Sequence, residues 1–161
     1  METSYDIIDS PMGSILIASR DNGLAGLWFE GQKYEGKPQS DWQQRPAEPV
    51  VRAAGMQLKQ YFAGQREVFD VALNLAGTDF QKLVWKELLK IPSGQTISYG
   101  ELANRLRKPK AVRAAAAAVG RNPVSVIVPC HRVVGANGAL TGYAGGIERK
   151  EGLLKLEAST A

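Results

Sequence analysis

The sequence is poor in the residues that build cross-linked or metal-stabilised proteins. Its 161 residues include one cysteine, Cys130, and one histidine, His131. A single cysteine excludes an intramolecular disulfide and leaves no resolving thiol for a redox cycle. One residue of each kind also excludes a structural zinc site built from three or four Cys and His ligands. We therefore expect neither a metal nor another cofactor.

Long apolar runs are missing as well. No stretch approaches the roughly 20 apolar residues of a membrane-spanning helix. The N-terminal sequence METSYDIIDS lacks the basic and apolar regions of a signal peptide. Apolar residues make up 44% of the chain and charged residues 22%, which is typical of a folded globular protein. We expect a cytoplasmic protein with no membrane partner.

Acidic residues are scarce in the second half. Residues 1–80 carry 7 Lys and Arg against 11 Asp and Glu, whereas residues 81–161 carry 13 against 5. A basic half joined to an acidic half indicates an anionic partner for the basic one. A basic face that is merely solvated would give the same count.

The first half predicts a small β-sheet with one helix. Segments rich in β-formers are separated by turn residues, and a proline-rich polar stretch, residues 30–49, predicts a loop. Apolar residues at helical spacing then predict a helix over residues 50–62. The predicted strands are residues 5–8, 14–18 and 26–29, with residues 68–75 as a further strand.

The second half predicts mostly helices. The capping-box pattern from Thr78 to Gln81 begins a helix through Ile91, with Phe80, Leu83, Val84 and Leu88 on one face. A second such pattern, from Ser98 to Glu101, begins a short helix that ends near Leu106. An apolar β-branched run, residues 124–128, predicts a buried extended segment. Further helices are expected over residues 110–119 and 147–156. We predict an α+β fold, with an N-terminal domain over residues 1–77 and a C-terminal domain over 78–161.

Two of these short helices, joined near Pro109, have the pattern of a helix-turn-helix. Residues 114–118 in the second helix are all alanine. Alanine offers no hydrogen-bonding side chain, so this surface cannot read base edges, but it lets another molecule approach the backbone closely. A helix packed tightly inside the domain would favour alanine for the same small size.

The adjacent Cys130 and His131 are the residues best suited to chemistry. A thiolate is a good nucleophile, and an imidazole oriented by a carboxylate can take the thiol proton. Taken singly, a lone cysteine is usually an inert buried apolar residue, and a lone histidine is usually structural. Their adjacency after the apolar run, beside Pro129 and Arg132, favours catalysis.

Several motifs together resemble those of the O6-alkylguanine-DNA alkyltransferases. The central one is PCHRV at residues 129–133, preceded by RNPV at 121–124. The resemblance covers about residues 78–158, in the order and spacing of that family. The other matching stretches are ISY at 97–99, PKAVRA at 109–114, GYAGG at 142–146 and KE at 150–151.

This resemblance implies a suicide methyltransferase for DNA repair that flips O6-alkylguanine, and also O4-alkylthymine, out of the duplex. Cys130 would become a thiolate through water, His131 and Glu157, and would keep the alkyl group after one turnover. The other site residues that it implies are Asn122 as a brace, Tyr99 as proton donor and phosphate contact, Arg113 and Ala114 on DNA, and Val133, Tyr143, Ala144 and Gly145 lining the base pocket.

The implied partner is double-stranded alkylated DNA, bound through its minor groove without sequence preference. The resemblance also implies a monomer that can assemble cooperatively on DNA, in the nucleoid if the source is bacterial. Three features depart from some members: the N-terminal half has no zinc ligands, Ala144 stands where they have serine, and Ser125 stands where they have proline. Two other functions remain open at this point, a lesion sensor without transfer and a cysteine hydrolase.

Overall fold

The computed structural model describes residues 2–160, which divide into two compact units. The first unit holds residues 2–76 together with Pro123–Ser125, and the second holds Gly77–Asn122 and the chain from Val126 onward. Sequence reasoning placed residues 123–125 with the second domain. In the structure they pack with the first, so the chain enters the first unit briefly just before the cysteine motif.

A four-stranded sheet forms the first unit, in the order β3-β2-β1-β4. The first three strands are antiparallel neighbours, and β4 is parallel to β1. Asp21 and Asn22 both have positive φ and join β2 to β3 in a two-residue turn, as their residue types predict. The strands are β1 Thr3–Ile8, β2 Ile15–Arg20, β3 Gly23–Phe29 and β4 Gln43–Gln44.

One helix, α1 (Pro49–Phe62), packs on this sheet. Pro49 occupies its first turn, where a missing N–H costs nothing, and the Glu48 side chain caps it by accepting from Val51 N. The predicted apolar stripe is confirmed, because Val51, Ala54 and Leu58 are at most 2% exposed. The helix and sheet therefore close one apolar core.

The predicted strand over residues 68–75 is wrong. This segment makes only an isolated bridge, between Leu73 and Leu24. Its backbone at Asp70 is instead bonded by a side chain: Gln57 Nε2 donates to Asp70 O, and Asp70 N donates to Gln57 Oε1. Gln57 thus satisfies the backbone of Asp70, and pairing with β3 is confined to Leu73, where Leu24 N donates to Ala72 O and Asn74 N donates to Leu24 O. The loop predicted over residues 30–49 also contains the short strand β4.

Helices dominate the second unit. The capping box at Thr78 is confirmed, and α2 buries Val84, Trp85 and Leu88, whereas Leu83 is exposed rather than buried as expected. Trp85 Nε1 donates to Ala118 O at 2.8 Å, which joins α2 to α4 through the alanine run. The elements are α2 Asp79–Leu88, β5 Ile97–Ser98, α3 Tyr99–Arg105, α4 Val112–Gly120, a 3₁₀ turn Cys130–Arg132, β6 Val133–Val134 and α5 Ile147–Thr160.

The two short helices α3 and α4 pack against each other. Ser98 caps α3 by accepting from Glu101 N, but Glu101 pairs with Arg105 instead of completing a capping box. Along α4, Ala115 and Ala118 are buried while Ala114 is exposed, so the alanine run serves both packing and an open surface. None of the helices between residues 2 and 160 is long and apolar enough to cross a membrane.

The apolar run over residues 124–128 is buried as predicted, but it is not extended. It forms a succession of turns in which Val126 has φ 70°, a left-handed conformation that β-branched residues rarely adopt. The turns bring Asn122 back to the end of the run, where its Nδ2 donates to Val128 O at 2.8 Å. This folded segment leads directly into Pro129 and Cys130.

Candidate active site

Cys130 begins a single 3₁₀ turn and is 5% exposed. Arg132 N donates to Pro129 O at 3.0 Å, which closes the turn. On a regular strand, Cys130 and His131 would point to opposite faces, but successive residues of a 3₁₀ helix are rotated by only about 120°. The turn therefore allows neighbouring side chains to serve one site.

A buried carboxylate, Glu157 on α5, orients His131. Its Oε2 lies 2.7 Å from His131 Nε2, and both side chains are at most 1% exposed. Arg132 donates to the same carboxylate through Nε and Nη2, each at 2.8 Å, and donates through Nη1 to Ile91 O. Two adjacent residues of the 3₁₀ turn are thus fastened to one carboxylate.

The charges in this cluster define the protonation states. Burial alone would raise the pKa of Glu157, but the hydrogen bonds and charges of His131 and Arg132 prevail and lower that pKa to about 2. Burial lowers the pKa of His131 below its usual value, against the opposing effect of Glu157. At neutral pH the site therefore holds a carboxylate and a neutral imidazole. With Nε2 donating to Glu157, the lone pair lies on Nδ1, which is buried and accepts no hydrogen bond from residues 2–160.

The Cys130 sulfur has polar neighbours inside an otherwise desolvated site. Burial raises the pKa of the Cys130 thiol, whereas hydrogen bonds from Asn122 and Tyr143 and the charge of Lys150 favour the thiolate without cancelling the rise. The resting sulfur is therefore a thiol, and it needs a base to become a nucleophile. Neutral His131 is suited to that role.

Lys150 interacts electrostatically with the Cys130 sulfur and lies beside the Tyr99 ring. Although it is charged, its side chain is buried, and Nζ donates to Thr141 O at 2.8 Å. Nζ also lies 5.9 Å from the centre of the Tyr99 ring. Burial raises the pKa of Tyr99 above its usual value, so the phenol keeps its proton at neutral pH and can donate it.

The remaining predicted site residues occupy two places. Val133 is fully buried in β6, and the loop from Gly142 to Gly146 contains the half-buried Tyr143 and Ala144 and the buried Gly145. The Tyr143 ring lies edge-on to that of His131, at 6.5 Å. Arg113 and Ala114 are exposed in the first turn of α4.

Comparison with known proteins identifies the family. Residues 79–159 match the family described as 6-O-methylguanine DNA methyltransferase, DNA binding domain, and residues 3–75 match its ribonuclease-like domain. A Methanosarcina mazei protein named methylated-DNA–protein-cysteine methyltransferase is 50% identical over 153 residues, covering 95% of this chain and 96% of its own. The chain belongs to the 6-O-methylguanine DNA methyltransferase family.

Solved structures of this family share the fold. The crystal structure of Mycobacterium tuberculosis O6-methylguanine methyltransferase matches with a TM-score of 0.89 at 49% identity, covering 99% of this chain and 94% of that one. The structure of Mycobacterium tuberculosis OGT in complex with DNA matches with a TM-score of 0.88 at 46% identity, covering 100% and 95%. The predicted α+β class and family are confirmed.

Sequence reasoning missed two basic residues of this candidate site. It named neither Arg132 as the partner of Glu157 nor Lys150 as the buried cation near Cys130. Both look like ordinary surface charges, because arginine and lysine are mostly exposed in proteins. One signal was available for Arg132, since it follows Cys130 and His131 directly in a segment that begins apolar.

The buried carboxylate makes stability depend on pH. The pKa of Glu157 falls from about 4.5 unfolded to about 2 folded, which corresponds to about 3 kcal/mol of stability. The unfolded chain binds the extra proton, so this contribution is present above pH 4.5 and is lost as the pH falls towards 2. Because the pKa of His131 is lowered in the folded protein, the free energy of unfolding also falls as the pH drops below about 6.5.

Urea unfolding measured at pH values from 7 to 3 tests this expectation. The free energy of unfolding should fall with acidity more steeply in the unaltered protein than in Glu157→Gln. Replacement of the exposed Glu148 on the same helix, Glu148→Gln, should leave the slope unchanged. Equal slopes in all three proteins would contradict the assigned charge state of Glu157.

Proposed function

We propose that this chain repairs DNA by transferring the alkyl group of O6-alkylguanine to its own Cys130. The observation that carries the proposal is the buried triad of Cys130, His131 and Glu157. Its neutral imidazole has a buried lone pair on Nδ1. A lesion-binding protein without transfer has no use for a nucleophile beside an oriented base.

In the proposed reaction, the thiol proton moves through one water molecule to Nδ1 of His131. Glu157 stabilises the imidazolium that forms, and its hydrogen bond to Nε2 keeps the ring in the reactive tautomer. The sulfur attacks the alkyl carbon, so an S–C bond forms as the C–O6 bond breaks. The guanine anion that leaves takes a proton from the Tyr99 hydroxyl, and His131 then returns its proton to the solvent or the phenolate.

The proposed reaction takes place once per molecule. Its product is a thioether, and the chain contains no second cysteine that could release the alkyl group. The protein is then a reactant consumed in equal amount with the lesion. Asn122 braces the site, because its side chain bonds Val128 O and also the sulfur.

We assign duplex binding to α3, α4 and the connection between them as a helix-turn-helix. Lys108 and Lys110 in the connection supply positive charge for phosphates, and the exposed Ala114 allows close approach to the floor of the minor groove. Alanine cannot read base edges, so binding is independent of sequence. Cooperative assembly of monomers on DNA, action on O4-alkylthymine and association with a nucleoid also belong to this proposal.

In the proposed function, Tyr99 and Arg113 carry out base flipping. A base inside the stack is unreachable for a buried sulfur, so the alkylated nucleotide must rotate out of the helix. Tyr99, at the start of α3, crowds the target phosphate, while exposed Arg113 fills the space that the base leaves. The flipped base then lies among Val133, Tyr143, Ala144 and Gly145.

An Arg113→Ala variant should react much more slowly with a paired lesion than with the free base. Unstacking and unpairing a base cost a few kcal/mol, so losing the residue that fills the gap should slow duplex repair by roughly ten-fold or more. Reaction with free O6-benzylguanine needs no flipping and should change by less than about two-fold. Lys110→Ala, which removes a phosphate contact nearby, should weaken DNA binding without this selectivity. Equal losses on both substrates would exclude the flipping role.

The proposed function is tested by intact-protein mass spectrometry after incubation with a duplex that contains O6-methylguanine. Transfer predicts a gain of one methyl group on Cys130, in a yield equal to the amount of protein. Tight lesion binding with unchanged mass would indicate a sensor, and unchanged mass with repeated turnover of a small ester would indicate a hydrolase. Either result would overturn the proposal.

A further inference from the structure

Strand β3 of the first unit holds the segment that leads to the nucleophile. Leu27 N donates to Pro123 O at 2.9 Å, and Ser125 N donates to Leu27 O at 3.1 Å. Leu27 and Val124 form a parallel bridge, and Val124 is fully buried. Residues 123–125 are thus fastened to the edge of the N-terminal sheet by backbone bonds on both sides of Val124.

A buried glutamine just after β3 fastens the same segment through its side chain. Gln32 is 7% exposed, and its Oε1 accepts from Phe29 N at 2.7 Å. The same oxygen accepts from Ser125 Oγ at 3.4 Å, while Nε2 donates to Lys33 O. One amide oxygen therefore ties the end of β3 to Ser125, which is 1% exposed and distant in sequence.

The position of Ser125 matters because of the residues on either side of the fastened segment. Just before it, Asn122 donates to Val128 O, the same carbonyl that accepts from Cys130 N. Just after it, Val126 holds a left-handed φ of 70°. A conformation this unfavourable for valine persists only where the neighbouring backbone is fixed. Ser125 is the neighbour on one side.

We propose that Gln32 is a positioning residue for alkyl transfer, acting through Ser125 on the turn that carries Cys130. The inference rests on the proposed transfer to Cys130 and gives the N-terminal unit a specific part in it. Gln32 touches neither the sulfur nor DNA in this scheme. Without the Gln32 side chain, the backbone of Ser125 and Val126 can shift. The Cys130 sulfur is then displaced from its reactive position, and the rate of the chemical step falls.

The test separates binding from chemistry in single-turnover reactions with a duplex that contains O6-methylguanine. Gln32→Met keeps the size of the side chain and removes the acceptor. It should lower the first-order rate constant at saturating DNA by roughly three- to ten-fold, the fold-change that one neutral hydrogen bond supplies. The dissociation constant of the lesion duplex should stay within about two-fold. Gln39→Met, the same replacement at an exposed site in the same loop, should leave both constants unchanged.

Rescue and coupling distinguish positioning from general destabilisation. Gln32→Glu retains the oxygen that accepts from Ser125 Oγ but loses the bond to Lys33 O, so it should restore part of the rate. Ser125→Ala should lower the rate no more than Gln32→Met does. The double variant should be no slower than Gln32→Met alone, because the bond between Ser125 Oγ and Gln32 Oε1 is already absent in that variant. Rates are taken well below the melting temperature of each variant, as measured by circular dichroism.

Three results would overturn the inference: an unchanged rate constant in Gln32→Met, a change confined to the dissociation constant, or additive losses in the double variant. The failure of the proposed function looks different. In that case the unaltered protein itself gains no methyl group, so there is no transfer rate with which the variants could be compared.

Discussion

A Cys130→Ser variant gains no methyl group when it is mixed with an equal amount of duplex containing O6-methylguanine. The serine hydroxyl has nearly the size of the thiol, but it ionises far less readily and is a much weaker nucleophile at neutral pH. Loss of the nucleophile should reduce transfer by on the order of 10⁴-fold or more. The intact mass of the protein measures this outcome directly, since Cys130 is the only cysteine.

Binding supplies the control for this variant. Cys130→Ser should retain the affinity of the unaltered protein for the lesion duplex, because the exposed α4 surface and the connection before it are unchanged. A variant that neither binds nor transfers would instead indicate misfolding, and far-UV circular dichroism would detect it. Transfer at the unaltered rate would eliminate Cys130 as the nucleophile and with it the proposed function.

A Glu157→Gln variant should slow transfer on the order of 100-fold, with little change in DNA affinity. The amide keeps the size of the carboxylate but removes the charge that stabilises protonated His131, and it no longer fixes the ring tautomer. The same change leaves the Arg132 guanidinium buried without its counter-charge, so stability should fall by about 3–5 kcal/mol. Single-turnover rates at low temperature, where the variant is folded, measure the first effect.

Arg132→Gln is the matched control for Glu157→Gln. It breaks the same buried ion pair but leaves the contact between His131 Nε2 and Glu157 Oε2 in place. If Glu157 acts through His131, Glu157→Gln should be slower than Arg132→Gln by at least ten-fold, although both variants lose stability. Equal rates in the two variants would show that the carboxylate is needed only for folding.

Local sequence patterns predicted the parts of the fold that local physics determines. The stripe of α1, the cap at Thr78 and the turn at Asp21 and Asn22 each depend on residues within a few positions of one another. The adjacency of Cys130 and His131 likewise indicated a candidate reactive pair from neighbouring residues alone. These features need no knowledge of distant contacts.

The errors arise where a distant side chain decides the backbone. Residues 68–75 have strand-forming composition, but Gln57 bonds the backbone of Asp70, and pairing with β3 is limited to the bridge at Leu73. Residues 124–128 are β-branched and apolar, yet bonds from Leu27 and Asn122 fold them into turns and hold Val126 at positive φ. A β-propensity expresses a fit to a pleated surface, and neither segment has such a surface on both sides.

The brief passage of residues 123–125 through the first unit means that the two halves of this protein are not interchangeable modules. The family segments meet near residue 77, so a graft of the C-terminal segment onto another scaffold looks simple in the sequence. Such a graft would leave the backbone groups of Pro123 and Ser125 without partners and would expose Val124 to water. A chimaera therefore needs a recipient sheet whose edge reproduces β3; otherwise the turns that precede Cys130 lose their backbone partners.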